Sequence, residues 1–168
     1  MKTILCFLVA TAPFAMGAEV SPIRLRVEQV SKDQHTAFTH KQAKSLKVEL
    51  SNSSAQDVNG LKVKYAYFAR SVKTNDVAEV RQGEMSAAVK AHGSVTVEVP
   101  GVSVAYTEEH VEGNPFANRG QSGKNRGAAH VKTVAASGQR FVGYRVQIFS
   151  AGAPVAEYSS EPSLKAGK

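Results

Sequence analysis

Cysteine, tryptophan and aspartate are nearly missing from this chain. One thiol, no indole and three aspartates (Asp33, Asp57 and Asp76) occur among 168 residues. Those shortages exclude a disulfide framework, a thiolate zinc site and most carboxylate-rich calcium sites. Aromatic residues make up only 7%, so a core has to be built mainly from aliphatic side chains. What is present is 42% hydrophobic and 21% charged, the profile of one soluble domain with a short extra segment. Basic side chains outnumber acidic ones by 21 to 14, a formal net charge of +7, which favours acidic partners or surfaces.

Residues 1–18 read as a leader. Lys2 supplies a positive start, Ile4 to Ala12 an apolar run, and Pro13 precedes the small residues around Ala15-Met16-Gly17-Ala18. This is the layout of a secretory signal peptide, with cleavage expected after Gly17 or Ala18. The run is shorter than the roughly 20 residues that a bilayer crossing needs, and Glu19 and Arg24 follow closely, so no transmembrane anchor is expected in the mature chain. Cys6 lies inside the run, away from the place of a lipoprotein acceptor. A type IV prepilin leader is not expected either, because Val20 to Val30 alternates with charge where such a leader continues as an apolar helix. Cleavage leaves 150 residues, with 20 basic and 14 acidic side chains and no thiol. A chain of that size buries about 68 to 70% of its unfolded surface, enough for a core without covalent staples. An exported chain without disulfides suits a bacterial envelope, with the periplasm, the outer-membrane surface or the medium as its expected location.

From Ile23 the pattern is that of strands. Ile23, Leu25 and Val27 alternate with Arg24, Arg26 and Glu28; Leu46, Val48 and Leu50 alternate with Lys47 and Glu49; Leu61, Val63, Tyr65 and Tyr67 alternate with Lys62, Lys64 and Ala66. A period of two puts one apolar face on each segment. Ser51 to Gly60 separates the second and third runs and closes on Asn59-Gly60, residues that tolerate the positive φ of a turn. Val77 to Met85, Val95 to Val99, Val102 to Tyr106, Phe141 to Phe149 and Val155 to Ser159 complete the set, with Pro100-Gly101 read as one of the turns. No window has a helical period. Seven or eight short strands, each with one face to bury, predict an all-β, two-layer antiparallel sandwich over residues 19–168, with a barrel as the other all-β solution.

Tyr144-Arg145-Val146-Gln147-Ile148, a glycine-containing turn and Val155-Ala156-Glu157-Tyr158-Ser159 resemble the last two strands of fibronectin type III and related immunoglobulin-like domains. The resemblance implies an immunoglobulin-like fold in which Tyr144 anchors a corner at the start of the penultimate strand, with Val146 where antibody-type domains carry a cysteine. A leader followed by such a cysteine-free sandwich is also similar to small exported bacterial proteins of type IV pilus-like machinery. That similarity implies a non-enzymatic component of an envelope or pilus assembly, with other envelope or pilus-assembly proteins as partners.

One stretch breaks the strand pattern. Between Thr107 and Ala136 no regular element fits, and three glutamates (Glu108, Glu109, Glu112) are followed by Arg119, Lys124, Arg126, His130 and Lys132 without an acid among them. Insertions longer than about 12–15 residues are functional or disordered more often than not. The candidate ligand-binding residues are therefore Tyr106 and Phe116, as faces for sugar stacking, with Arg119, Lys124, Arg126 and Lys132 as cations for an anionic glycan or lipid headgroup. Gly120, Gly123 and Gly127 around Lys124 lack the spacing of a nucleotide-binding phosphate loop. Nucleic acid is not expected as a partner, since only Phe116 stands beside the basic residues for stacking.

Nothing in the sequence marks an enzyme. His35, His40, His92, His110 and His130 lack the spacing of a zinc helix and fall in expected turns or loops, as surface histidines. There is no Gly-x-Ser-x-Gly elbow, and the mature chain has no cysteine nucleophile. No catalytic residue, metal ligand or cofactor is assigned. Asn52-Ser53-Ser54 reads as a turn, and Glu161 to Lys168 as a frayed tail or short docking segment.

Overall fold

A computed structural model describes residues 21–113 and 131–164. The chain forms β1 (Ile23–His35), β2 (Thr39–Asn52), β3 (Val58–Ser71), β4 (Val77–Val89), β5 (Ser94–Thr107), β6 (His110–Glu112), β7 (Lys132–Val134), β8 (Ser137–Ser150) and β9 (Ala153–Ser159). A single 3-10 turn follows at Pro162–Leu164. Among the described residues, no helix is long and apolar enough to cross a membrane.

All pairings are antiparallel, and they make the expected all-β sandwich. One layer is β1-β2-β5 and the other is β4-β3-β8-β9, with β6 and β7 as a separate ribbon. The layers meet where β5 touches β8 through only two residue pairs, Tyr106 with Gly138 and Thr107 with Ser137. Because, among the described residues, β1 pairs only with β2 and β4 only with β3, these strands do not close into a barrel.

The alternating aliphatics explain the core. Ile23, Leu46, Val48, Leu50 and Val99 from the first layer interlock with Leu61, Val63, Tyr67, Val146 and Ile148 from the second. Burying each such side chain contributes about 1.5–3 kcal/mol. One end of the sandwich is closed by a polar turn network. Buried Asn52 donates through Nδ2 to the carbonyls of Gln56 (2.7 Å) and Lys90 (3.2 Å), while its Oδ1 accepts from Ser54 N. Asp57 pairs with Lys90 at 2.6 Å and accepts from Ala91 N, and those bonds hold its carboxyl below the usual range. Along the side, the Arg81 guanidinium reaches from β4 across to the Gly101 carbonyl on β5.

Several boundaries differ from the sequence reading, each for a local reason. Pro100-Gly101 is not a turn: β5 runs through it with a bulge against Lys44/Leu46, a place where a residue without an N–H is tolerated. Asn59-Gly60 lies inside β3 at a second irregularity, with Gly60 at φ 70°, and the chain reverses over residues 53–57 instead. β1 and β2 extend to His35 and back to Thr39, well beyond their apolar runs. Among the described residues of the stretch 107–136, His110–Glu112 pairs with Lys132–Val134.

Gly138 fixes the join. Its φ is +94°, and a Cβ there would stand 2.3 Å from the Ala105 carbonyl oxygen and 2.9 Å from Tyr106 Cα. Gly138→Ala is expected to lower the unfolding free energy by about 3 kcal/mol through combined backbone strain and overlap, read from urea denaturation. A wild-type midpoint for this variant would show that the two layers do not rely on the contact.

Candidate functional site

The inner face of the first layer changes character halfway along. Register carries Ile23, Leu25 and Val27 on β1 into Asp33 and His35, and Leu50, Val48 and Leu46 on β2 into Lys44, Gln42 and His40. On β5 the same face ends at Tyr106, opposite His40. The period of two persists while the side chains turn polar, so the strands overrun the apolar core and carry a polar lining to the end of the sandwich opposite the Asn52 network.

Each polar group in that lining has a partner. Lys44, with a side chain only 7% exposed, holds both Asp33 oxygens at 2.7 and 2.8 Å. Gln42 Oε1 accepts from the Phe141 backbone N–H at 2.9 Å, linking β2 to the opposite layer. His35 Nδ1 and His40 Nδ1 lie 2.6 Å apart, His40 Nε2 faces Glu108 Oε1 at 3.3 Å, and the His40 ring stacks on Tyr106 at 4.6 Å.

The ribbon of β6 and β7 springs from this end. His110 stacks on Phe38, from the β1–β2 turn, at 4.0 Å and 3°. Its Nδ1 is 2.9 Å from the Glu108 carbonyl and its Nε2 is 3.3 Å from Glu112. Three histidines therefore tie the β1–β2 turn, the end of β5 and the ribbon together. The expectation that the histidines lie in turns or loops is overturned for His35, His40 and His110, which occupy strands, and the imidazole of His110 is nearly buried. Stacking on rings distant in sequence, Phe38 for His110 and Tyr106 for His40, draws these two inward, whereas His35 stays exposed. Among the described residues no group of three or more His, Cys, Asp or Glu is placed to hold a metal ion.

Beside the lining is an open cleft of about 690 Å³. It is walled by the β3–β4 turn, the ends of β5 and β8, and the segment after β9, and includes Arg70, Arg140, Tyr106, Glu108, Glu109 and Glu161. Arg70 and Arg140 are direct cross-strand neighbours, and the Arg140 guanidinium stands 5.9 Å from the Tyr106 ring centre. The turn is held to β8 by Val72 N donating to the Gly138 carbonyl.

Of the residues singled out from sequence, Phe116, Arg119, Lys124 and Arg126 lie outside the described residues. Tyr106 is at the cleft, with one ring face covered by His40. Lys132 is exposed on β7 opposite Glu112, and no contact brings it to Tyr106. Tyr144 lies in the middle of β8, not at the start of the strand, because β8 begins at Ser137. It packs into the core beside Tyr158. The bonds that hold the segment after β9 to this position come from Ser160, whose N donates to the Tyr144 carbonyl while its Oγ accepts from Tyr144 N. Sequence reasoning missed Asp33, Lys44, Gln42, Arg70 and Arg140. The available signal was the two-residue spacing of His35 and Asp33, and of His40, Gln42 and Lys44, continuing the apolar faces.

No protein-family model matches this chain, and no curated protein matches it. Among solved structures it is similar to the X-ray structure of a Northeast Structural Genomics Consortium target, with 11% identity, 88% of this chain and 92% of that one covered, and a TM-score of 0.38. That level of likeness leaves function to be reasoned from the residues themselves.

Removing Asp33 leaves a buried ammonium unpaired, so Asp33→Ala is expected to cost about 2 kcal/mol, discounted for its partial exposure, while Lys44→Met stays within about 1 kcal/mol of wild type. Equal losses in urea melts would contradict the pairing. Burial, and then the neighbouring tyrosine, pushes the Tyr67 and Tyr144 phenols up to about 12. Unfolded tyrosines titrate near 10, so this contribution is complete below about pH 10 and is lost as pH rises towards 12. The Tyr67 hydroxyl is buried without a hydrogen-bond partner, so Tyr67→Phe should be stable at neutral pH and flatten the alkaline decline. An unchanged alkaline slope in that variant would count against the assignment.

Proposed function

We propose that this protein is a non-enzymatic, exported interaction domain of a cell-envelope or pilus-like assembly, and that it docks protein partners along the free edge of β1. The leader pattern of residues 1–18 supports export, and the sandwich supports the kinship with fibronectin type III-like domains. The observation that carries the docking reading is the second half of β1. From Gln29 to His35 the strand stays paired with β2, yet among the described residues no other strand pairs with β1, and in this half only Val30 is even half-buried. An exposed edge of that length offers a row of main-chain donors and acceptors to an added strand. Lys32 on the edge discourages indiscriminate pairing, whereas Asp33 is drawn inward by Lys44.

The second reading, an anionic glycan or lipid headgroup held by the basic segment, rests on the charge pattern of residues 119–132. Ionic strength separates the two. Strand addition survives high salt, whereas contacts made by exposed cations weaken as the Debye length shrinks.

The test uses the full chain, expressed with its leader and tagged at the C-terminus, to capture partners from the producer's envelope at low and high salt. In an antiparallel edge strand alternate N–H groups point away from the neighbour, so one of Ser31 and Lys32 carries its N–H on the free edge. Proline at that residue leaves the β1–β2 ladder intact. The proline variant that keeps the wild-type melting temperature is expected to lose a salt-resistant partner. Capture that persists with both prolines, or that vanishes with salt, would refute edge docking.

A further inference from the structure

We propose that the cleft at the β5–β8 join is a binding site for a singly charged acidic sugar, a saccharide carrying one carboxylate, whose carboxylate is held by Arg70 and Arg140. This inference concerns a different surface from the β1 edge and stands independently of it.

The arginine pair is the first reason. Arg70 on β3 and Arg140 on β8 are opposite one another in register, and like charges directly opposite on neighbouring strands are destabilising. Neither guanidinium has a carboxylate partner among the described residues. Both line the cleft and both are exposed. Two adjacent guanidinium groups without an internal acid present a forked set of donors suited to a planar oxyanion, which they can engage by parallel N–H···O bonds. Arg140 is also positioned by the ring of Tyr106 at 5.9 Å.

The opposite charges in the same cleft select among oxyanions. Glu109 and Glu161 line it as well, and Glu108 faces His40. These carboxylates repel a second negative charge on the ligand, which disfavours a phosphate dianion, and they accept hydrogen bonds from hydroxyl groups. Asn75, in the wall of the β3–β4 turn, adds both a donor and an acceptor. A ligand with one carboxylate and several hydroxyls matches this mixture. At about 690 Å³ the cleft has the capacity of a small-molecule site.

Amide chemical-shift titration of the full chain with glucuronate, glucose, glycine and inorganic phosphate tests the proposal. Glucuronate is expected to saturate at about 10 mM or below, shifting amides at residues 70–75, 106–109 and 138–142. Glucose, glycine and phosphate should each bind at least about tenfold more weakly. Arg70→Gln and Arg140→Gln should each weaken glucuronate by about tenfold or more. Relief of the like-charge pair should leave their melting temperatures equal to wild type or raised by about 1–2 °C, so that loss of binding is distinguished from loss of fold in either variant. Absence of saturation by glucuronate, equal binding of phosphate or glycine, or arginine variants that bind like wild type would each overturn the assignment.

Discussion

Strand β8 belongs to both layers of the sandwich, and the rest of the molecule depends on how it changes over. At Gly138 its backbone lies so close to β5 that a methyl group would meet the Ala105 carbonyl at 2.3 Å. At the very next residue, Gln139, β8 already pairs with Ser71 of the other layer. Between the last contact with β5, at Gly138, and the first with β9, at Arg145, one edge of β8 has no strand beside it. Buried backbone groups there would be costly if left unpaired. Gln42 supplies the acceptor for Phe141 N, and Ser160 supplies both partners for Tyr144. Side chains thus close a gap that a strand would otherwise fill, and the cleft lies where they leave room.

The two ends of the sandwich have different physical characters. At one, the turns after β2 and β4 are knitted by Asn52, Asp57 and Lys90, directly above the aliphatic core. At the other, strands of 13 and 14 residues run past that core with polar inward faces. Apolar contact is what makes local opening costly, so the polar end is held chiefly by the ion pair of buried Lys44 with the more exposed Asp33, stacked histidines and a side-chain amide. Interactions of this kind are directional. They set the positions of the β1–β2 turn, the ribbon and the cleft wall relative to one another more than they add net stability.

The fold was legible because aliphatic residues at alternate positions have one outcome in a strand. Ile23 to Val27, Leu46 to Leu50 and Leu61 to Tyr67 became strands with the expected inward faces. Their lengths were not legible, since a strand held by its neighbours continues after its own apolar pattern stops. Turn chemistry misled at Pro100-Gly101 and Asn59-Gly60, where the same backbone freedom serves a bulge as readily as a reversal. The polar end was illegible for a further reason. Asp33 and Lys44 are 11 residues apart, Gln42 and Phe141 are 99 apart, and Arg70 and Arg140 meet only through β3–β8 register. Spacing along the chain carries no trace of such meetings.

A sandwich gains most by continuing aliphatic residues along both inner faces, and a buried ion pair is seldom more stable than well-packed apolar residues of the same volume. This chain instead buries Lys44 in one layer, paired with the more exposed Asp33, and sets two arginines opposite one another in the other, both towards the same end. Locally unfavourable choices that gather at one place are what a binding surface requires, because groups already satisfied by each other have nothing to offer a ligand. The Lys44–Asp33 pair is satisfied and can only position its surroundings. Arg70 and Arg140 have no carboxylate partner among the described residues, and that difference is why the cleft, and not the ion pair beside it, is the place proposed for recognition.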